Sequence, residues 1–173
     1  MIQPEQLAPD LYESDSTDKT IQLGRLLGSV LASGDAVILT GDLGAGKTQL
    51  TKGIAQALGI AQAITSPTFT IQMVYDQGDL PLYHFDLYRV GSADQLGDCG
   101  IWDVLGDDGV CVIEWGEQFR DDLGDDLLEC VISRQESPDG SEPARTIRFI
   151  ANNAEGQRIV RELDAAYTKA QAS

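Results

Sequence analysis

Apolar positions fall along this chain in two rhythms. Between residues 17 and 32 they recur at helical spacing, with Ile21, Leu23, Leu26, Leu27, Val30 and Leu31 forming a broad face. Ser16 or Thr17 would cap this helix, and Ser33-Gly34 would end it. The same rhythm predicts a helix from Thr48 to Leu58, stopped by Gly59, and another from Ala154 to Lys169 with Ile159, Val160, Leu163 and Ala166 inward. Between the helices the runs are short and continuous. Asp35–Leu39 and Gly109–Trp115 read as strands covered on both faces. Phe69–Tyr75 and Leu82–Leu87 read as antiparallel strands joined through Gln77-Gly78-Asp79. Leu127–Ser133 and Thr146–Ile150 add two more, linked by the turn-rich stretch 135–143. A short helix is expected from Ser92 to Leu96 and a brief turn at 103–105. Residues 1–15 read as an irregular acidic lead-in. Residues 16–170 contain no linker and no repeat, so one three-layer α/β domain with a mixed sheet flanked by helices is expected.

The connection between the strand at 35–39 and the helix at 48–58 changes this picture most. Gly41-Asp42-Leu43-Gly44-Ala45-Gly46-Lys47-Thr48 matches the phosphate-binding pattern G-x-x-x-x-G-K-T. The glycines let successive backbone N–H groups point into one concavity. Lys47 would reach the terminal phosphates and the Thr48 hydroxyl would ligate Mg²⁺. Strand, loop and helix come in the order that brings phosphate to a helix N-terminus. The expected fold is thus P-loop NTPase-like.

Charge narrows the ligand and the partners. With 12 basic and 28 acidic residues the net charge is −16, a field that repels nucleic-acid backbones and anionic membranes. The nucleotide must be gathered locally, by the loop amides, Lys47 and Mg²⁺. The same charge serves solubility or steers a basic protein partner. Cys99, Cys111 and Cys130 are odd in number and widely spaced, so neither a disulfide framework nor a zinc site follows. Without a signal-like or spanning apolar stretch, a cytoplasmic location is expected.

A nucleotide site also needs a carboxylate at the end of a neighbouring strand. Glu114, directly after Val110–Ile113, fits a Walker B acid. Asp86 ends the run from Leu82 to Phe85, where placing water, supporting the metal shell and capping a turn are all open to it. Ser66-Pro67-Thr68 offers hydroxyls on a stiff turn, either a plain turn or a nucleotide-sensing switch. His84 alternates with Phe85, so one of the two should face inward, and a structural histidine is expected. Arg89 suits a salt bridge or a phosphate contact, and Trp115 suits packing or stacking near the site. No [N/T]-K-x-D guanine motif is present, and the basic residues after the second helix are too scattered for a kinase lid.

These segments, in order, resemble the TsaE (YjeE) family. The resemblance rests on Gly41–Thr48, Ser66-Pro67-Thr68-Phe69-Thr70, His84-Phe85-Asp86-Leu87-Tyr88-Arg89 and Glu114-Trp115-Gly116-Glu117. It covers roughly residues 16–135. It implies a cytoplasmic Mg²⁺-dependent ATPase of tRNA threonylcarbamoyladenosine biosynthesis, working with TsaB and TsaD and touching tRNA only through them. It implies that Asp42 to Thr48 (Leu43, Gly44, Ala45, Gly46 and Lys47 between them) hold the phosphates and that Thr48 and Glu114 are the metal ligands. It further implies that Asp86 is the essential aspartate, Ser66–Thr68 the switch, and Thr17 a residue near the adenine. Gln49 departs from the second threonine that many members carry there, without touching the metal ligand. A small-molecule P-loop kinase and a nucleotide-gated binding module remain as alternatives.

Overall fold

The computed structural model describes residues 2–42, 46–124, 127–141 and 143–172. Its strands are β1 (Glu5–Ala8), β2 (Leu11–Ser14), β3 (Ala36–Thr40), β4 (Gln72–Tyr75), β5 (Leu82–Asp86), β6 (Val110–Glu114), β7 (Leu128–Arg134) and β8 (Arg145–Ala151). The helices are α1 (Thr17–Val30), α2 (Lys47–Ala57), α3 (Ala93–Asp98), α4 (Ile101–Val104), α5 (Arg120–Leu123) and α6 (Ala154–Gln171). The strands form one mixed sheet in the order β1-β2-β8-β7-β3-β6-β5-β4. β5, β6, β3 and β7 run parallel, and the strands at either flank are antiparallel to their neighbours. The expected α/β architecture, a mixed sheet between helices, is the one observed.

The continuous apolar runs account for the centre. In β3, Val37 and Leu39 pack into one core with α1, α2 and α6, while Ala36 and Ile38 pack into a second core with α3, α4 and α5. β6 divides the same way, Val110 and Val112 to the first core and Cys111 and Ile113 to the second. A strand buried on both faces needs apolar residues at every position, which is why neither run alternates. α1 begins where its cap predicts: Ser16 accepts the backbone N–H of Lys19. α6 is capped by Asn153 and buries Ile159, Leu163 and Tyr167.

Two expected stretches are corrected. Residues 1–15 are not an irregular lead-in: β1 and β2 form a hairpin that adds to the sheet beside β8. Its burial signal rests on Tyr12 and Ser14 alone, both fully buried. Tyr12 packs edge-on against Phe149 and Tyr167, at 5.9 and 5.4 Å between centroids. The expected strand from Phe69 starts only at Gln72, because Ile71 takes a left-handed conformation (φ 66°) and its N–H donates to the Pro67 carbonyl.

The cysteines behave as core residues. Cys111 and Cys130 are fully buried, and burial pushes the Cys111 thiol up to about 12 and raises that of Cys130 too. Cys99 is half-buried, and burial raises it too. The thiolate is the reactive form, and a raised pKa keeps it scarce at neutral pH. Alkylation of the native chain at pH 8 should therefore label Cys99 first and reach Cys111 and Cys130 only on unfolding. Mass spectrometry of the labelled peptides checks the order.

Candidate active site

The carboxyl ends of β3, β5 and β6 face one crevice, and Gly46 with the first turn of α2 lines it. Ligands of open α/β sheets bind at such strand ends. Gly46 adopts φ 111° immediately before α2, a conformation glycine reaches without a steric cost. It delivers Lys47 as the first residue of the helix, 6% exposed. The Lys47 ammonium donates to the Gly41 carbonyl at 2.7 Å and lies 3.8 Å from the centroid of the Trp115 ring. Burial pulls its pKa down, opposed by the carboxylates of Glu114, Glu117, Asp86 and Asp42, which favour the charged form.

The two acids are placed by register. Asp86 on β5 stands opposite Glu114 on β6, and Glu114 in turn stands opposite Leu39 on β3. Both are 3% exposed. Asp86 accepts the backbone N–H of Tyr88 at 3.0 Å through Oδ1, and the Ser66 and Thr68 hydroxyls at 3.3 Å each through Oδ2. Those hydroxyls tie the 66–68 turn to the acid. The Asp86 backbone adds to this link, its N–H donating to the Ile71 carbonyl.

Glu114 meets His84, with 2.6 Å between Oε2 and Nε2. His84 and Phe85 are both fully buried, not one of the two, because β5 is covered on both faces. His84 is thus buried and hydrogen-bonded, and its partner is the acid at the crevice. Trp115, directly after Glu114, sits at φ 59°, and its ring meets Tyr88 at 5.1 Å. Trp115 and Ile71 are the non-glycine residues with positive φ among those described. Such conformations cost of order 1–3 kcal/mol each and persist where surrounding structure fixes them. Arg89 makes no salt bridge among the described residues; its guanidinium lies over the Phe69 ring at 4.5 Å.

A cavity of about 440 Å³ joins these groups. Thr17, Gly46, Lys47, Thr48, Asp86 and Glu114, all expected at the site, line it together. Asp42 is exposed beside the loop and is not among the lining residues. Leu43, Gly44 and Ala45 lie outside the described residues. Sequence reasoning missed Tyr88, Gln49 and Arg145, which also line the cavity. Arg145 had no motif to mark it; only the pairing of β8 with β2 and β7 brings it here. Among the described lining residues the cations are Lys47 and Arg145.

Fold and crevice together define an α/β protein that presents a buried lysine and two buried acids at the ends of adjacent parallel strands. The family profile described as threonylcarbamoyl adenosine biosynthesis protein TsaE matches residues 14–146, and the chain belongs to the TsaE family. It is 38% identical over 152 residues to a protein of Bacillus subtilis (strain 168) named tRNA threonylcarbamoyladenosine biosynthesis protein TsaE, covering 88% of this chain and 92% of that one. A Treponema pallidum protein of the same name is 46% identical over 110 residues, covering 64% and 81%. Among solved structures, that of Bacillus subtilis YdiB superposes with a TM-score of 0.76 at 32% identity, over 90% of this chain and 93% of that one. No helix among the described residues is long and apolar enough to cross a membrane.

Proposed function

We propose that this chain binds ATP with Mg²⁺ in the crevice, hydrolyses it, and thereby drives or resets a complex of TsaB and TsaD that makes threonylcarbamoyladenosine in tRNA. One observation carries the reading: buried Lys47, at the junction of loop and α2, faces Asp86 and Glu114 across a single cavity. The names of the relatives supply the tRNA modification.

The donor set suits magnesium. Among the described residues no group of three or more His, Cys, Asp or Glu side chains could hold a metal by itself. What lines the cavity is the Thr48 hydroxyl with the Glu114 and Asp86 carboxylates. Mg²⁺ binds in this manner, through one or two carboxylates together with substrate phosphates and waters. Thr48 and Glu114 would hold it, and when bound it supplies neutralisation of phosphate charge. His84 fixes one oxygen of Glu114 and so orients the acid. Lys47 and the loop from Asp42 to Thr48 hold the phosphates, and Asp86 places the attacking water. The Ser66 and Thr68 hydroxyls on Asp86 make the 66–68 turn a sensor of what occupies the crevice. A net charge of −16 fits contact with tRNA through partners rather than directly.

Phosphate release by the isolated chain should be slow. Addition of TsaB and TsaD should raise it by about tenfold or more, as groups supplied in trans do for phosphoryl transfer. Supplied with tRNA and an activated threonylcarbamoyl donor, the same mixture should form threonylcarbamoyladenosine only with this chain present. Full-speed hydrolysis alone, indifferent to the partners, would refute the coupling. Transfer of phosphate to a metabolite in place of free phosphate would point to a kinase instead.

A further inference from the structure

The turn that follows β5 is held from β6. Leu87 and Val90 are buried, and the Val90 N–H closes the turn on the Leu87 carbonyl at 3.0 Å. The Leu87 N–H donates to the Glu114 carbonyl, also at 3.0 Å. Within this turn sits Tyr88, whose N–H reaches Asp86 Oδ1 at 3.0 Å. The direction in which the acid points therefore follows the position of the turn.

Gln118 supplies a second hold. Trp115, at φ 59°, and Gly116 redirect the chain as it leaves β6, and a Cβ at Gly116 would sit 2.9 Å from Ile113 Cγ2. A single 3₁₀ turn, Glu117–Phe119, follows and is anchored by Phe119 in the second core. Gln118 lies on its exposed side and reaches back to the turn after β5. Its Nε2 donates to the Val90 carbonyl at 3.1 Å and to the Leu87 carbonyl at 3.4 Å. Only the NH₂ end of the amide can face two carbonyl oxygens, so the pair fixes its orientation. The stretch from Glu114 to Gln118 thus clasps the 87–90 turn by backbone at one end and by a side chain at the other.

We propose that Gln118 is a positioning residue for hydrolysis: it holds the 87–90 turn where the Tyr88 N–H aligns the Asp86 carboxylate. The inference rests on the ATP reading above and adds to it a residue that is not among those lining the cavity. With Oδ1 fixed by the turn, Oδ2 meets the Ser66 and Thr68 hydroxyls. When the turn slackens, the carboxylate rotates and the water it places loses its alignment. A misplacement of about 1 Å at such a group costs up to about 10²-fold in rate. Lys47 is held separately, on the Gly41 carbonyl, so nucleotide affinity is spared.

Three variants of the full chain test this. Gln118→Ala removes the donor, Gln118→Glu keeps the shape but turns an acceptor toward two carbonyls, and Gln118→Lys restores a donor on a longer stem. In the alanine and glutamate variants the Tyr88 amide should exchange its hydrogen at least about tenfold faster, read by NMR without nucleotide. Their kcat for ATP should fall by about tenfold while the Kd from calorimetric titration stays within about twofold, a loss confined to the chemical step. The lysine variant should return both readings to within about threefold of wild type. Because Gln118 is exposed, all three chains should melt near wild type. Wild-type kcat in the alanine and glutamate variants would overturn the inference and leave the ATP reading intact. A fall in kcat without faster Tyr88 exchange, or an equal fall in the lysine variant, would overturn it too. A wild-type chain that releases no phosphate from ATP, alone or with its partners, would refute the ATP reading and the inference with it.

Discussion

Asp86→Asn should leave ATP bound and slow its hydrolysis by about 10²–10⁴-fold, the range that a positioned proton acceptor contributes. Asparagine keeps the volume and one carbonyl oxygen, so the bond from the Tyr88 N–H to Oδ1 survives. The other position changes character. Oδ2 accepts from the Ser66 and Thr68 hydroxyls, and an amide NH₂ there donates instead. The hydroxyls must turn, the turn at 66–68 loses its charged anchor, and a water in the crevice loses its carboxylate. Binding depends chiefly on Lys47 and the loop, which the exchange does not touch. Single-turnover phosphate release beside calorimetric titration separates the two effects. Wild-type turnover by the variant would remove Asp86 from the chemistry, and loss of ATP binding would recast it as a binding residue.

The centre of the fold was legible in the sequence because burial on both faces leaves one physical solution, an unbroken apolar run. Val110–Ile113 and Val37–Leu39 are such runs and became β6 and β3. The flanks were not legible for the same reason reversed. β1 and β2 have four residues each, and Glu5, Gln6 and Glu13 among them are not buried. Their place in the sheet depends on β8, far away in the chain, and pairing at that distance leaves no local trace. Around Phe69 a local preference misled. Phe69, Thr70 and Ile71 favour strands, but the backbone turns there to tie its Ile71 carbonyl to Asp86, and Phe69 is left 83% exposed.

The candidate site divides along the same line. The placing of Lys47, Thr48 and Glu114 at one crevice could be read because each stands at the end or start of one element. The partnership of His84 with Glu114 could not, since it depends on the parallel register that sets His84 opposite Val112 and Asp86 opposite Glu114. Alternation along a single strand predicts one inward residue of a pair; helices on both faces of β5 made two. Arg145 is the extreme case. An isolated arginine in a polar stretch has nothing to distinguish it until three strands are aligned.

Gly53→Ala should be among the most damaging single exchanges in the chain, although alanine is the better helix former. α1 and α2 cross at Gly24 and Gly53. A Cβ at Gly53 would overlap the Ile21 carbonyl oxygen and come within 2.8 Å of the Arg25 nitrogen and of Gly24 Cα. A Cβ at Gly24 would overlap the Leu50 carbonyl oxygen and lie 2.9 Å from Gly53 Cα. These are backbone atoms and no rotamer relieves them, so the helices must move apart. Helix propensity returns about 1 kcal/mol to alanine. Forced separation of two packed helices over the main core should exceed that and leave a net loss of about 2–4 kcal/mol. For a chain of this size the melting temperature should fall by roughly 5–15 °C. Because α2 begins at Lys47 and Thr48, the same movement displaces the phosphate end of the crevice, and ATP affinity should fall with it. Gly97→Ala is the control: a Cβ there finds only the Trp102 ring, at 3.8 Å or more, and the helix should hold or gain stability. A Gly53→Ala chain that melts no lower than wild type would mean that the α1–α2 crossing is looser than its backbone distances imply.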